Sequence, residues 1–531
     1  MQNVFGHALV VLVACSLGAS SQSIPLSKYP HVVRLPLPAD AKPPKTARPP
    51  LDTLPLLVQA ADTSVWLATP LGILRYAEGK YRYYSGKRYL PDNPITALSL
   101  DPSRTGVYAF TADGSGVHLK TENLTLGEKA TRFEDRVAKR HNRHGMVADS
   151  HLTVPGDLTS NQLFSNDNDG LWTAMYGAAE CYRYAVTKSP EALALAKRSV
   201  EALLYLEEVT GRPGFPARSY IKKGEPKPKD GFWYKTANGD IEWKADTSSD
   251  EIVGHFYLFS IAYDLLPDPA LKKRIAATAK RIMDHILDNG YYLIDVTGKP
   301  TRWGKWSPAY FAGEGKSDAP LNAVELLAFL RATKHFTGDT KYDEEYRKAA
   351  YDLGYAAMAA KYLEWQEELN YSDEELALLS YQILFRYEKD PKLLPVYREG
   401  LNQWWKNIQR ENNPLWMLIY KYCNPAVNLD FRPAVQTLAD IPMDLIFWPV
   451  KNSHRADIVW SDVKDRFGKR EALTLLPAFE RPVMKWNGNP FVVDSDRQGN
   501  AEDDGGFYLL PYWMGRYMKA WHEPQATAAV R

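Results

Sequence analysis

Three things are scarce in this chain. Of its 531 residues only three are cysteine, Cys15, Cys181 and Cys423, which is no disulfide framework. Cys181, inside a predicted helix, reads as a small apolar core residue. An excess of either charge is also missing: 65 Lys and Arg stand against 64 Asp and Glu. That argues against nucleic acid as the main partner, because phosphate neutralisation needs a clustered basic surface. Long apolar runs are missing as well. Beyond the leader no stretch approaches the roughly 20 apolar residues of a spanning helix. The core must come from amphipathic elements, and at this length from two or more structural units.

The first residues read as an export signal. Apolar Ala8 to Ala14 is too short to span and suits a signal h-region, and small Ala19-Ser20-Ser21 follows, so residues 1–21 are assigned to a signal peptide. Leu12-Val13-Ala14-Cys15 resembles a bacterial lipobox. The product is therefore expected outside the cytosol: periplasmic, extracellular or lipid-anchored through Cys15. Residues 22–60 carry Pro36, Pro38, Pro43, Pro44, Pro49 and Pro50 and read as a linker or surface strap.

Residues 61–122 change character. Strands are predicted over 65–69, 73–76, 80–84, 95–100, 107–110 and 117–119, separated by turn signals such as Glu78-Gly79 and Asp113-Gly114. The phrase VWLATPLGILRYAEGKYRYY…ITALSLDP…GVYAFTADGSGVHL resembles the repeats of regulator-type β-propellers. A blade takes about 40–45 residues and a propeller at least about four blades, so a small antiparallel β-sheet unit is expected instead. Residues 123–164 read as a connection.

From about 165 the period becomes helical. Helices are predicted over 170–187, 189–209, 249–265, 269–289, 321–336, 341–360, 372–387, 391–409 and 414–422. Ser189-Pro190, Asp268-Pro269 and Asp390-Pro391 each place a cap before a Pro suited to the first turn. Short links make antiparallel hairpins. More apolar helices alternate with helices carrying a charged face, which reads as an inner and an outer ring. The predicted fold is mainly α: an α/α toroid over 165–525, loop-rich from about 424, with the β unit in front. An α-solenoid used for protein binding is the alternative.

Aromatic residues are plentiful: 15 Trp, 32 Tyr and 18 Phe. Most should fill core, but aromatic faces also stack on sugar rings, so weight falls on aromatics beside Arg, His and carboxylates. Seven segments qualify: Ser165–Thr173 with Asp167, Asp169 and Trp172; Asp246–Tyr257 with Asp250, Glu251, His255 and Tyr257; Arg302-Trp303-Gly304-Lys305-Trp306; Asn370–Glu374 with Tyr371; Lys451–Asp457 with His454 and Arg455; Lys485–Pro490 with Trp486 and Asn489; and Pro511–Tyr517 with Arg516. Several precede inner helices, whose N-termini favour anions. The bland readings are caps, with Ser248 and Glu251 fitting a capping box. His141 and His144 form a basic cluster without zinc-ligand spacing. No cofactor is expected. The Asp167/Asp169 spacing partly resembles a calcium loop, so a structural or carboxylate-neutralising Ca2+ is kept as an alternative.

SNDNDGLWTAMYGAAECYRYAVT, TGRPGFPARSYI, DTSSDEIVGHFYLFSIAYDL, DNGYYLIDVTGKPTRWGKWSP and KWNGNPF…LLPYWMGRY are similar to the helical domain of secreted bacterial carbohydrate-active proteins, most of all to lyases that cleave rhamnose–glucuronate linkages. The resemblance spans about 140–520. It implies a toroid and a uronate-containing polysaccharide or oligosaccharide as partner. Asp169, Arg218, Asp250, His255, Arg302, Trp303 and His454 match its polar motifs. Two chemistries follow. In β-elimination, His255 or Tyr257 would move the proton, with Arg218, Arg302 or Arg455 neutralising the uronate and Trp172, Trp303 and Trp486 as platforms. In glycoside hydrolysis, two of Asp167, Asp169, Asp250, Glu251, Glu502 and Asp503 would flank the bond. Lyase is the first expectation, hydrolase the second, a non-catalytic glycan-binding protein the third. The expected catalytic set is His255, Tyr257, Asp250, Asp169 and His454. The expected substrate contacts are Trp172, Arg218, Arg302, Trp303, Lys305, Tyr371, Arg455, Trp486, Asn489 and Arg516.

Overall fold

The computed structural model describes residues 23–42, 56–365 and 369–524. The leader and Cys15 lie outside the described residues. What is described is mainly helical, with small sheets.

The β unit holds two four-stranded antiparallel sheets rather than one. The first runs Tyr29–Pro36, Gly116–Leu124, Gly106–Phe110, Ala97–Leu100; the second runs Leu56–Gln59, Val65–Thr69, Gly72–Ala77, Lys80–Tyr84. The stretch read as a strap supplies a strand to each. Tyr29–Pro36 pairs with Gly116–Leu124 from Tyr29↔Leu124 to Pro36↔Val117. Its prolines hid it in the sequence, but it is an edge strand, where a missing N–H need cost no ladder bond. Alternate side chains turn inward, so Trp66, Ala68, Ile73 and Tyr84 of one sheet meet Leu98, Val107, Val117 and Leu119 of the other. Phe479, from far along the chain, completes this core and stacks on Tyr84.

Twelve helices of eight residues or more follow among the described residues: α1 (Leu126–Arg140), α2 (Asp169–Thr187), α3 (Pro190–Glu208), α4 (Ser249–Leu265), α5 (Pro269–Asp288), α6 (Ala319–Thr337), α7 (Thr340–Arg347), α8 (Tyr371–Tyr387), α9 (Leu393–Ile408), α10 (Pro414–Cys423), α11 (Arg432–Asp440) and α12 (Gly506–Tyr517). Burial separates them into two sets. α4 buries every residue from Glu251 to Ala262, whereas α5 buries one stripe, Leu271, Ile275, Thr278, Ala279, Ile282, Met283 and Ile286. The even-numbered helices are the enclosed set. α2 packs on α12 and α4, α4 on α6 and α8, α6 on α8, α8 on α10, and α10 on α12. Cys181 and Cys423 are buried free thiols. Among the described residues no helix is long and apolar enough to cross a membrane.

Ser189 and Asp268 cap α3 and α5 as expected, accepting from Ala192 and Leu271 N–H. Other expectations shift. α9 starts two residues after Pro391, with Asp390 accepting from Lys392 N–H at 2.8 Å. The helix expected over 341–360 breaks at a π-turn, Lys348–Asp352, and resumes after Gly354. α1 lies inside the stretch read as a connection, opened by a Thr125/Glu128 capping box. The buried Lys129 ammonium on α1 donates to the carbonyls of Leu438 and Ala439 (2.8 and 3.2 Å) and of Ile441, satisfying the C-terminal end of α11.

Candidate functional site

The N-terminal ends of the enclosed helices share one mouth. α2 opens after Asn166-Asp167-Asn168, whose side chains tie the segment down. Asn168 Nδ2 donates to Asp250 at the start of α4 (3.3 Å), and Arg218 donates to Asn168 Oδ1 (3.0 Å) and to the carbonyls of Asp167 and Asp246 (2.7 and 2.9 Å). The Ser248/Glu251 capping box does not form: Ser248 makes no cap hydrogen bond. The buried Glu251 carboxyl instead crosses to the first turn of α2. A Cβ on Gly170 would stand 1.9 Å from Glu251 Oε2, so only glycine leaves that carboxyl its place.

The acids around this mouth form one electrostatic group. Asp373, in the first turn of α8, is half-buried. Burial, and then the charges of Asp318 and Asp250, push its carboxyl up to about 7, with Asn370 and Arg466 pulling the other way. Glu375 is buried with Oε1 unpartnered. Burial and Asp250 raise it to about 8 against Lys485. Glu325, on α6, accepts from Trp306 Nε1 at 2.8 Å and is raised well above the ordinary range by burial and by Asp250, Asp373 and Asp318. Asp250 is half-buried, and its charge bears on all three.

Across the mouth, before α12, Lys485 pairs with Asp504 and lies 3.6 Å from Asp503. Its ammonium stands 4.7 Å from the ring centre of the half-buried Trp172. Burial lifts Asp503 to about 6 despite Lys485, while Lys485 draws Asp504 down against the push of burial. Lys485 also borders a shallow pocket with Glu411, Arg481, Trp486 and Phe507. A half-buried acid that stays protonated near neutrality, within reach of a second carboxylate's charge, can donate a proton to a leaving oxygen.

The structure brings Asp250, Trp172 and Arg218 of the sequence-predicted set to this mouth. Tyr371, buried, is the first residue of α8. Asn489 holds Glu471 at 2.6 Å nearby, and Trp486 is buried edge-on to Phe507. On the neighbouring strand Pro300–Lys305, Arg302 pairs with Asp246 (3.1 Å), Lys305 with Glu314 (3.0 Å), and Trp303 is 53% exposed.

Two more stand at the start of α2 but turn aside, and the rest lie elsewhere. Asp169 is fully buried on Arg143 (2.6 Å) and Ser219, raised by burial to about 6. Asp167 turns instead to Lys244. His255 is fully buried, both ring nitrogens on main-chain carbonyls of Glu251 and Leu203 (2.6 and 3.0 Å). Tyr257, also buried, donates to Gln382. His454 and Arg455 lie against Tyr83 of the β unit, with Arg455 on Glu480 (2.6 Å). Arg516 is in the last turn of α12, on Tyr512. Glu502 is bonded to Arg136, Arg140 and His141, which hold it near 2 against burial. His144 pairs with Glu225 at 2.6 Å. Among the described residues no group of three or more His, Cys, Asp or Glu is arranged to hold a metal ion.

Sequence reasoning passed over Asp373, Glu375 and Lys485 as functional residues. Asp373 stood in a flagged segment, and the signal was its place in the first turn of an enclosed helix.

No family model matches the sequence, and no curated protein matches it. Among solved structures, the chain is similar to a crystal structure of a family 76 glycoside hydrolase from a bovine Bacteroides thetaiotaomicron strain. The identity is 9% and the TM-score 0.39, over 78% of this chain and 83% of that one.

Proposed function

We propose that this chain is a carbohydrate-active enzyme that hydrolyses glycosidic bonds, with Asp373 as general acid and Asp250 as the opposing carboxylate, on a toroid closed by α12 against α2. The observation that carries this reading is the pairing itself. Two half-buried acids on neighbouring enclosed helices face one mouth, and one of them stays protonated to about 7. Glycoside hydrolysis asks for that division of labour between two carboxyl groups. Trp172, with the Lys485 ammonium 4.7 Å from its ring centre, supplies a flat face and a donor at the same mouth.

β-Elimination next to a glucuronate is the second reading. It needs a free cation for the uronate and an accessible Tyr or His. Arg218 is held by two carbonyls and Asn168, and His255 and Tyr257 are fully buried, so the hydrolase is preferred. We also propose that the product is exported, as its leader suggests.

The test is a panel of neutral and uronate-containing oligosaccharides, read for new reducing ends and for the ultraviolet absorbance of an unsaturated uronate. Reducing ends without that absorbance, lost in Asp373→Asn and Asp250→Asn, are expected. Unsaturated products would replace the hydrolase by the lyase.

A further inference from the structure

Arg218 uses all three of its nitrogens on neutral acceptors. Nε donates to the Asp167 carbonyl (2.7 Å), Nη1 to the Asp246 carbonyl (2.9 Å) and Nη2 to Asn168 Oδ1 (3.0 Å). One half-buried guanidinium thereby ties the turn before α2 to the turn before α4. The second turn is held from its other side as well. Asp246 takes a left-handed φ of 56°, and its carboxylate accepts the Arg302 N–H (2.9 Å). A guanidinium can only donate, so the Asn168 amide must turn its oxygen to Arg218 and its NH2 away. That NH2 meets Asp250 Oδ1 at 3.3 Å.

Asn168 does not act as the cap its position calls for. It is the N-cap residue of α2, where an Asn side chain ordinarily folds back onto the N–H groups of the first turn. Here the side chain makes no cap hydrogen bond. The Glu251 carboxyl of α4 stands at that first turn instead, so close that a Cβ on Gly170 would meet it. The Asn168 main chain is fixed without help from its side chain. Its N–H donates to Asn166 Oδ1 (2.6 Å), and Asn166 Nδ2 donates to Asp149 (2.9 Å). A good capping residue whose amide is diverted from its own helix to a half-buried carboxylate breaks a local rule, and such breaks collect at working sites.

We propose that Asn168, aimed by Arg218, is a positioning residue for Asp250. The proposal rests on the hydrolase reading and adds to it the origin of the division of labour between the two acids. The amide holds Oδ1 of Asp250 by a donated hydrogen bond, which keeps this carboxyl an acceptor and sets the plane of the group. Oδ2 is then the atom that works on water or on the sugar carbon, opposite the protonated Asp373. At 3.3 Å the bond is long, as catalytic hydrogen bonds are before a substrate closes on them.

Asn168→Asp is the separating variant. It keeps the oxygen that Arg218 needs and loses the N–H that Asp250 needs. The readout is release of new reducing ends from glucose, mannose, galactose and rhamnose oligosaccharides. On the oligosaccharide that is cleaved, Asn168→Asp should lower kcat about 10–100-fold, with KM within about twofold of wild type and the urea midpoint unchanged or higher. A structural Asn168 gives instead a wild-type kcat in Asn168→Asp, and that result would overturn the proposal. Arg218→Met should lower kcat in the wild-type protein and add nothing in the Asn168→Asp protein, because the two act through one bond. Losses that multiply would break the link between them. Urea unfolding tests that link without substrate: Asn168→Ala and Arg218→Met together should lower the folding constant by less than the product of their separate effects, and a full product would sever it. The hydrolase reading fails separately, if Asp373→Asn or Asp250→Asn cleaves the oligosaccharide at the wild-type rate.

Discussion

Acidic side chains stand at both ends of the enclosed helices, in opposite company. At the C-terminal ends they are paired. Asp264 of α4 meets Arg386 (2.5 Å) and His335 (3.1 Å), which hold it below its ordinary range against burial. Arg331 of α6 joins Asp343 (2.6 Å) and the fully buried Glu388 (2.9 Å). At the N-terminal ends Asp169 still pairs with Arg143 (2.6 Å), but Asp373, Glu375, Glu325 and Glu251 make no ion pair with an Arg among the described residues, and burial raises all four. Helix N-termini favour negative charge, yet burial wins. The paired end follows the ordinary rule for buried charge, that it be compensated. The unpaired end departs from it, and such departures mark working sites.

The sharpest way to break the comparison is to remove one group from each end. Asp373→Asn should lower kcat/KM on an oligosaccharide by about 10²–10⁴-fold while leaving the urea midpoint unchanged or higher. Arg331→Met should do the reverse. It takes the counter-charge from Glu388, which keeps only Tyr346 O–H and the Lys389 and Asp390 N–H groups, and should cost about 3 kcal/mol in urea unfolding, with kcat unmoved. If Asp373→Asn destabilises as much as Arg331→Met, the mouth acids are structural.

A smaller effect is the pH dependence, and its sign separates the two ends. On the hydrolase reading Asp373 must be protonated to act, so kcat/KM should fall about tenfold per pH unit above about 7. For stability, a carboxyl raised by folding favours the fold fully below its unfolded value, and that contribution is lost as pH rises through the folded value. Glu375 therefore weakens the fold as pH climbs to about 8, and Glu375→Gln should flatten that slope in urea titrations. Asp264, held low, gives the opposite slope, with stability lost as pH falls below its ordinary range. Smaller still, Gly170→Ala should cost about 1–3 kcal/mol in thermal or urea melts by displacing Glu251. The smallest is Trp303→Ala at an exposed site, expected within about 0.5 kcal/mol of wild type.

Much of the helical scaffold was legible because its signals are local. Pro at the first turn, Ser and Asp caps and a charged outer face placed α3 and α5 within a residue or so. α4 was bounded as well, although its capping box was not what it seemed: Glu251 serves the neighbouring helix, a contact no sequence window contains. α12 was missed because Pro511 and an almost wholly apolar composition hide its period, and Tyr29–Pro36 because its prolines resemble a linker. Of the residues at the mouth, Asp250 and Trp172 were singled out from their places at the starts of enclosed helices, and Arg218 from the resemblance alone. Asp373 and Lys485 were not, because their character comes from neighbours on other elements. His255 looked functional from its acidic flank, which the helix turns away from it.

The loop that carries Lys485 to the mouth also plugs the β unit. Phe479 sits in the core shared by the two sheets, Arg88 of that unit holds the Phe479 and Arg481 carbonyls (3.0 and 3.1 Å), and six residues after Phe479 Lys485 meets Asp504. Neither unit owns this loop, so neither can melt without handing disorder to the other. The β unit then acts as a clamp on the mouth of the helices, and heating should give one cooperative transition shared by sheets and helices rather than two.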